Sequence, residues 1–287
     1  MKTILIPVDY SASARLAADF GLLLAGQWQA RVILLHAYPV TAIPAPYTIP
    51  VQTTERDETL HQQTGEYLQE FRDDLLRRHP LLASVPVTTK VVPGSAKSVI
   101  LSESTELKAD FVILGTSGAN TTLENWLGSV ATAVTQQARC PVWVVSGTTS
   151  PGHLRSFTYF ADLKGDEVDC IQRIVAVARD LDASTKVIHI STSASENQWD
   201  AEPTFEKLKE VFQGESDIHF WQLSDDHPHQ KIENYIQQYS PSVVVLAHHN
   251  RSFLDTIFHK SLIRQVVLTA KMPLLIIPKM PFRRSKS

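Results

Sequence analysis

The chain has 287 residues, 43% of them hydrophobic, with 27 basic and 30 acidic residues for a net charge of −3. That length suits two domains of ordinary size, or one large one, with a proper core. The balanced charge removes any electrostatic case for nucleic acid or an anionic membrane. Cys140 and Cys170 are too few for a disulfide framework.

The N-terminal "KTILIPVDYS" is neither a signal peptide nor a membrane span, so a reduced, cytoplasmic protein is expected. In chain order, short β-branched runs predict buried parallel strands at 3–8, 31–37, 86–92, 110–115 and 142–146. A second set follows at 156–161, 185–190, 217–223, 242–247 and 274–278. Helical patterns lie between them. "SARLAADFGLLLAGQ" carries Leu16, Phe20, Leu23 and Leu24 at helical spacing, and "VATAVTQQA" and "LIRQVVLTA" precede the last strand of each half. This alternation implies βαβ units with right-handed crossovers.

The same order of elements occurs twice, which marks an internal repeat. The boundary is expected in "SGTTSPGHLRS", residues 146–156, by its Gly, Pro and Ser content. Residues 38–54 hold four prolines and are expected to form an extended surface loop. Cys140, before an apolar strand, and Cys170, at helical spacing with Ile174 and Val177, read as small hydrophobes.

The segment "GTSGANTTLENWLGSV" follows the fourth strand run. Gly115 and Gly118 fall where that strand would end, and Gly128 and Ser129 would open the next helix. Unpaired backbone N–H groups and the dipole make such a helix start an anion site. Gly128 would let a phosphate approach the backbone, and Ser129 would cap the helix and offer its hydroxyl. Asp9, ending the first strand, would emerge at the same sheet edge to accept bonds from a ribose or an adenine amine. The plainer alternative makes the glycines ordinary turns, with Ser129 and Asp9 ordinary helix caps. No Walker A or GxGxxG pattern is present.

"ILIPVDYSASA", "VILLHAY", "VVPGSAKSVI", "ADFVILGTSG" and "GSVATAVTQQARCPVWVV" together resemble the universal stress protein family, in tandem form. The resemblance implies two domains, at 1–147 and 155–280. Each would be a five-stranded parallel sheet of order 3-2-1-4-5 in a three-layer α/β/α sandwich of the adenine-nucleotide α-hydrolase-like type. The last strands of the halves would pair antiparallel to make an intramolecular pseudo-dimer. The family's ATP-binding pattern, two glycines three apart and a Gly-Ser nine residues on, is matched in full by residues 115–129. Carried over by position, the nucleotide contacts fall on Asp9, Ala37, Leu114, Gly115, Gly118, Gly128, Ser129 and Val130. Gly94 would line the same cleft, and Trp126 would cover it or pack on a neighbouring subunit.

The resemblance further implies ATP, with or without Mg²⁺, and a stress-response or regulatory role through an unidentified protein partner. It implies no catalytic residues beyond slow ATP hydrolysis, no nucleic acid, no membrane, and room for homo-oligomers beyond the internal pair. The second copy departs from the pattern, placing Ala247, Asn250 and Lys260 at the three glycine positions while keeping Ser261 and Asp162. It is therefore expected to be degenerate and not to bind ATP. His36 and His189, at equivalent strand positions, read as hydrogen-bonded structural residues. His248, His249 and His259 lack the carboxylate or Cys spacing of a zinc site. An ATP-cleaving hydrolase would carry a Ser-Gly-Gly-x-Asp-Ser loop where this chain has "VDYSAS". A nucleotide-free scaffold, or a stress protein for another small ligand, is the remaining alternative.

Overall fold

The computed structural model describes residues 1–39, 50–116, 128–146, 151–163, 166–191, 198–248 and 272–278. The chain divides into two compact units, Met1–Cys140 and Pro141–Ser287. In the first, the elements are β1 (Thr3–Pro7), α1 (Ala12–Trp28), β2 (Arg31–Tyr38), α2 (Pro50–Arg78), β3 (Val87–Pro93), α3 (Ala96–Glu106), β4 (Phe111–Gly115) and α4 (Ser129–Gln137). Its strands lie in the order β3-β2-β1-β4, parallel throughout.

The second unit opens with β5 (Val142–Val145) and continues with β6 (Ser156–Ala161), α5 (Glu167–Arg179), β7 (Ser184–Ser191) and α6 (Gln198–Val211). It ends with β8 (Ile218–Ser224), α7 (Pro228–Tyr239), β9 (Val243–His248) and β10 (Leu274–Pro278). The strand order here is β5-β10-β9-β6-β7-β8. The repeat formed by β6 to β10 therefore has the expected 3-2-1-4-5 order. β5 runs antiparallel to β10, with Leu274 opposite Val144, Leu275 opposite Trp143 and Ile276 opposite Val142. The antiparallel pairing of the two last strands is thus present, and β5 is counted with the second unit.

Every strand lies within one residue of its expected bounds at each end. The reason is visible in burial. β4, β5, β6 and β10 are buried along nearly their whole length, as strands covered on both faces must be, so they read as near-continuous apolar runs, with Ser156 and Thr158 the polar exceptions in β6. The outer strands β3 and β8 are only partly covered.

Helix α1 departs from its expected face. Its buried side is Ala14, Ala17, Ala18, Gly21, Leu22 and Ala25 with Phe20 and Leu24, while Leu16 and Leu23 are half-buried. Small residues let the helix lie close on the sheet, and Gly21 rests against Ile6 and Ile113. The Pro-rich stretch is also shorter than expected. Helix α2 begins at Pro50, the first-turn position where a missing N–H is tolerated, so residues 50–54 are helical and 40–49 lie outside the described residues.

The repeat is written in backbone detail. Non-glycine residues with positive φ recur at a constant offset of 153 residues, Tyr10 with Leu163 and Gln29 with Asp182. His36 and His189 share that offset and the same bond. Nδ1 of each donates to a carbonyl at the end of the repeat's first strand, that of Val8 just after β1 at 2.6 Å and that of Ala161 closing β6 at 3.1 Å. The expected structural role of this histidine pair is what the structure contains.

Candidate functional site

A cleft of about 500 Å³ opens in the first unit at the carboxyl end of the sheet. Three strand ends, those of β1, β2 and β4, converge on it, which is where the loops of an open α/β sheet leave room for a ligand.

From β1 come Pro7, Val8 and Asp9. Asp9 Oδ1 accepts from the Ser11 backbone N–H at 3.1 Å and from Ser11 Oγ at 2.5 Å. Ser11 Oγ in turn accepts from the Ala14 N–H at 3.1 Å and is the side-chain cap of α1. Asp9 is therefore exposed to the cleft and at the same time buttresses the cap. Tyr10, next in the chain, has φ 62° and packs on His36 with ring centroids 4.9 Å apart. Its hydroxyl is buried without a hydrogen-bond partner, and burial pushes its pKa up to about 12.

From β2 come His36 and Ala37, and from α3 come Ala96 and Ile100. Gly94 is a different matter. Its φ of 140° lets its N–H donate to the Tyr38 carbonyl at 2.8 Å, turning the chain from β3 into α3. It does not line the cleft, so the expectation for Gly94 is corrected: glycine serves the turn.

Leu114 and Gly115 come from β4, and Gly128, Ser129 and Val130 from the start of α4. The two glycines have different causes. A Cβ on Gly115 would sit 2.6 Å from the backbone of Ser13, so its absence is required by the close packing of α1 on β4. Gly128 has φ −57° and ψ 155°, open to any residue, so its own backbone angles impose no glycine. It is the N-cap, donates its N–H to the Thr116 carbonyl at 3.0 Å, and offers no capping side chain. This corrects the expected role of Ser129, which is the first helical residue and not the cap. The first-turn N–H groups of an α-helix have no intrahelical acceptor, and Ser129, Val130 and Ala131 all line the cleft.

The cleft thus gathers Asp9, Ala37, Leu114, Gly115, Gly128, Ser129 and Val130 from four separate parts of the chain. Gly118 and Trp126 lie outside the described residues, as do Asn250, Lys260, Ser261, His249 and His259. Among the described residues no group of three His, Cys, Asp or Glu side chains is placed to hold a metal. No described helix is long and apolar enough to cross a membrane.

The second unit differs at a position the sequence reading passed over. The offset of 153 residues aligns the buried faces of α1 and α5, putting Glu167 at the place of cleft-lining Ala14. Glu167 is 3% exposed, and the hydroxyl of Tyr159, 1% exposed, donates to its Oε2 at 2.6 Å. Burial, then the adjoining Cys170 and Glu167, hold the Tyr159 phenol well above its ordinary pKa. A glutamate on the apolar side of "EVDCIQRIV" was the available signal. Cys170 is buried and Cys140 half-buried, and neither is in a disulfide.

The universal stress protein family model matches residues 1–146. A universal stress protein of Methanocaldococcus jannaschii is 28% identical over 150 residues, covering 50% of this chain and 81% of its own length. A putative universal stress protein of Staphylococcus saprophyticus is 30% identical over 149 residues, covering 50% of this chain and 83% of its own. The crystal structure of a universal stress protein from Archaeoglobus fulgidus superposes with a TM-score of 0.67 at 16% identity, covering 96% of both chains.

Proposed function

The chain belongs to the universal stress protein family, and from that premise we propose that residues 1–147 form an ATP-binding domain and residues 155–280 a degenerate copy that takes no ATP. One observation carries this reading. Seven of the eight residues singled out from the sequence line a single cleft, the eighth being Gly118. Its volume of about 500 Å³ falls in the range of small-molecule sites, roughly 300–1,000 Å³. The capping position of α4 holds a glycine, so no side chain stands between the first-turn N–H groups and an incoming phosphate.

Asp9 and Ala37 would meet the ribose and adenine. Gly115, Gly118, Gly128, Ser129 and Val130 would surround the phosphates, accompanied by Mg²⁺ where ATP is the ligand. The asymmetry between the repeats draws support from Glu167, a buried carboxylate where the first cleft is lined by Ala14. We assign no catalytic residue. The protein would act in the cytoplasm in stress response, by changing shape or partner when nucleotide binds.

A nucleotide-free scaffold is the second reading, favoured by two observations: Gly115 is explained by packing on Ser13, and Asp9 by its bonds to Ser11. Calorimetry with Mg²⁺-ATP separates the readings. One site per chain is expected, abolished in Gly128→Lys with the melting temperature nearly unchanged. Two sites per chain would sink the asymmetry, and no heat from the wild type would leave the scaffold.

A further inference from the structure

The outer strands of the two repeats treat their open edges differently. β3 and β8 each end a strand order, so one side of each has no described strand beside it. A parallel ladder uses the backbone groups of every second residue. In β3 the phase is fixed by two bonds of 2.8 Å, from the Val32 N–H to the Pro86 carbonyl and from the Gly94 N–H to the Tyr38 carbonyl. Thr88, Lys90 and Val92 therefore turn their backbone groups to β2, and Val87, Thr89, Val91 and Pro93 turn theirs outward. In β8 the Thr185 N–H donates to the Asp217 carbonyl at 2.8 Å and the Asp225 N–H to the Ser191 carbonyl at 3.0 Å. His219, Trp221 and Leu223 thus bond to β7, and Ile218, Phe220, Gln222 and Ser224 turn their N–H and C=O groups outward.

An open edge is a template for another strand, and soluble proteins blunt it with lysine or proline. β3 carries both. Lys90 lies opposite Leu35 and pairs with Glu103 at 2.6 Å, and Pro93 takes an outward position that has no N–H to offer. The 153-residue offset carries Leu35 to Ile188 and Tyr38 to Ser191, whose partners in β8 are Trp221 and Ser224. An indole, 54% exposed, therefore stands where β3 has its lysine, and an outward N–H where β3 has its proline. β8 itself holds no acid, lysine or arginine.

We propose that β8 is a self-association edge, on which a second copy of this chain pairs antiparallel about a two-fold axis. The strand is complementary to itself. Setting Ile218 opposite Ser224 and Phe220 opposite Gln222 places all four outward residues of each copy in hydrogen-bonded pairs, and the axis then falls on Trp221. The two Trp221 side chains meet at a non-hydrogen-bonded position, where Cα atoms approach to about 4.5 Å and side chains lie closest. Asp217 and Asp225 fall opposite each other just beyond the strand. Each is already met by a cation of its own chain, Arg179 at 2.6 Å and Lys231 at 3.6 Å, so the copies join without unpaired like charges. An unrelated strand would find the same backbone bonds and no matching indole.

Sedimentation of the full chain over a concentration series tests this. The wild type is expected to pass from 32.0 kDa to twice that mass as concentration rises, with tryptophan emission moving to the blue as Trp221 leaves water. Trp221→Lys and Ser224→Pro give β8 the residues of β3. Each should weaken self-association at least about tenfold while keeping the wild-type circular dichroism spectrum. A wild type that stays monomeric at every concentration would overturn the proposal and leave the edge to a strand of another protein. A dimer of unchanged affinity in both folded variants would also overturn it, by placing the contact elsewhere.

Discussion

Gly115→Ala tests whether a glycine in the nucleotide-type segment is held there by the fold or by a ligand. A methyl at this position would meet the Ser13 carbonyl carbon, carbonyl oxygen and Cβ, each at 2.6 Å. Two of those three atoms belong to the backbone of the first turn of α1, which is pinned by the Ser11 cap and by Asp9. They cannot swing aside as the tip of a long side chain would. Overpacking of this kind costs about 1–3 kcal/mol. The φ of Gly115 is not positive, so alanine adopts the backbone conformation and returns about 0.4–1 kcal/mol through the unfolded chain. A net loss of roughly 1–2 kcal/mol remains, or a fall in melting temperature of roughly 2–8 °C for a unit of this size. The control is Gly65→Ala. Gly65 lies inside helix α2 with nothing within 4 Å of the new methyl, so alanine should stabilise by about 0.5–1 kcal/mol. Scanning calorimetry and urea titration of both variants give the answer. If Gly115→Ala melts at or above the wild-type temperature, α1 is not held against β4 as described.

Two further outcomes are expected. Val144→Asp buries a charge in a strand where Val144 is 1% exposed and opposite Leu274, and should cost roughly 3–5 kcal/mol; an unaltered urea midpoint would mean β5 and β10 are not paired. Tyr10→Phe removes a buried hydroxyl that has no partner, and should be neutral or stabilising by up to about 1 kcal/mol. A variant destabilised by about 1 kcal/mol or more, the worth of one hydrogen bond, would show that the hydroxyl does have a bond to lose.

The strands were legible because burial on both faces leaves a one-dimensional signal: "FVILG" or "VVVLAH" needs no partner to be read. The cleft was legible for a similar reason, since strand ends and helix starts converge at one sheet edge once the order 3-2-1-4-5 is known. What stayed hidden depends on distance between remote segments. Nothing in the local sequence says that Gly115 abuts Ser13, or that Gly128 and not Ser129 occupies the cap. Counting large apolar residues favoured Leu16 and Leu23 in α1, whereas contact with the sheet is made largely through alanines and Gly21. Glu167 was signalled only by its place on the apolar side of its helix, and its partner Tyr159, eight residues earlier on β6, had no local signal.

The pairing of β5 with β10 has a bearing on how free the two copies are to differ. Trp143 and Leu275 occupy corresponding places in "PVWVV" and "PLLII", and they face each other across the antiparallel ladder, both fully buried. In an assembly of two identical chains, that central place would be filled by the same residue twice, a bulky indole against an indole or a leucine against a leucine. Joining the copies in one polypeptide lifts that requirement, so a large ring can be matched by a smaller neighbour. Two identical N-terminal copies paired in this register would set Trp143 against Trp143, where this chain sets it against Leu275.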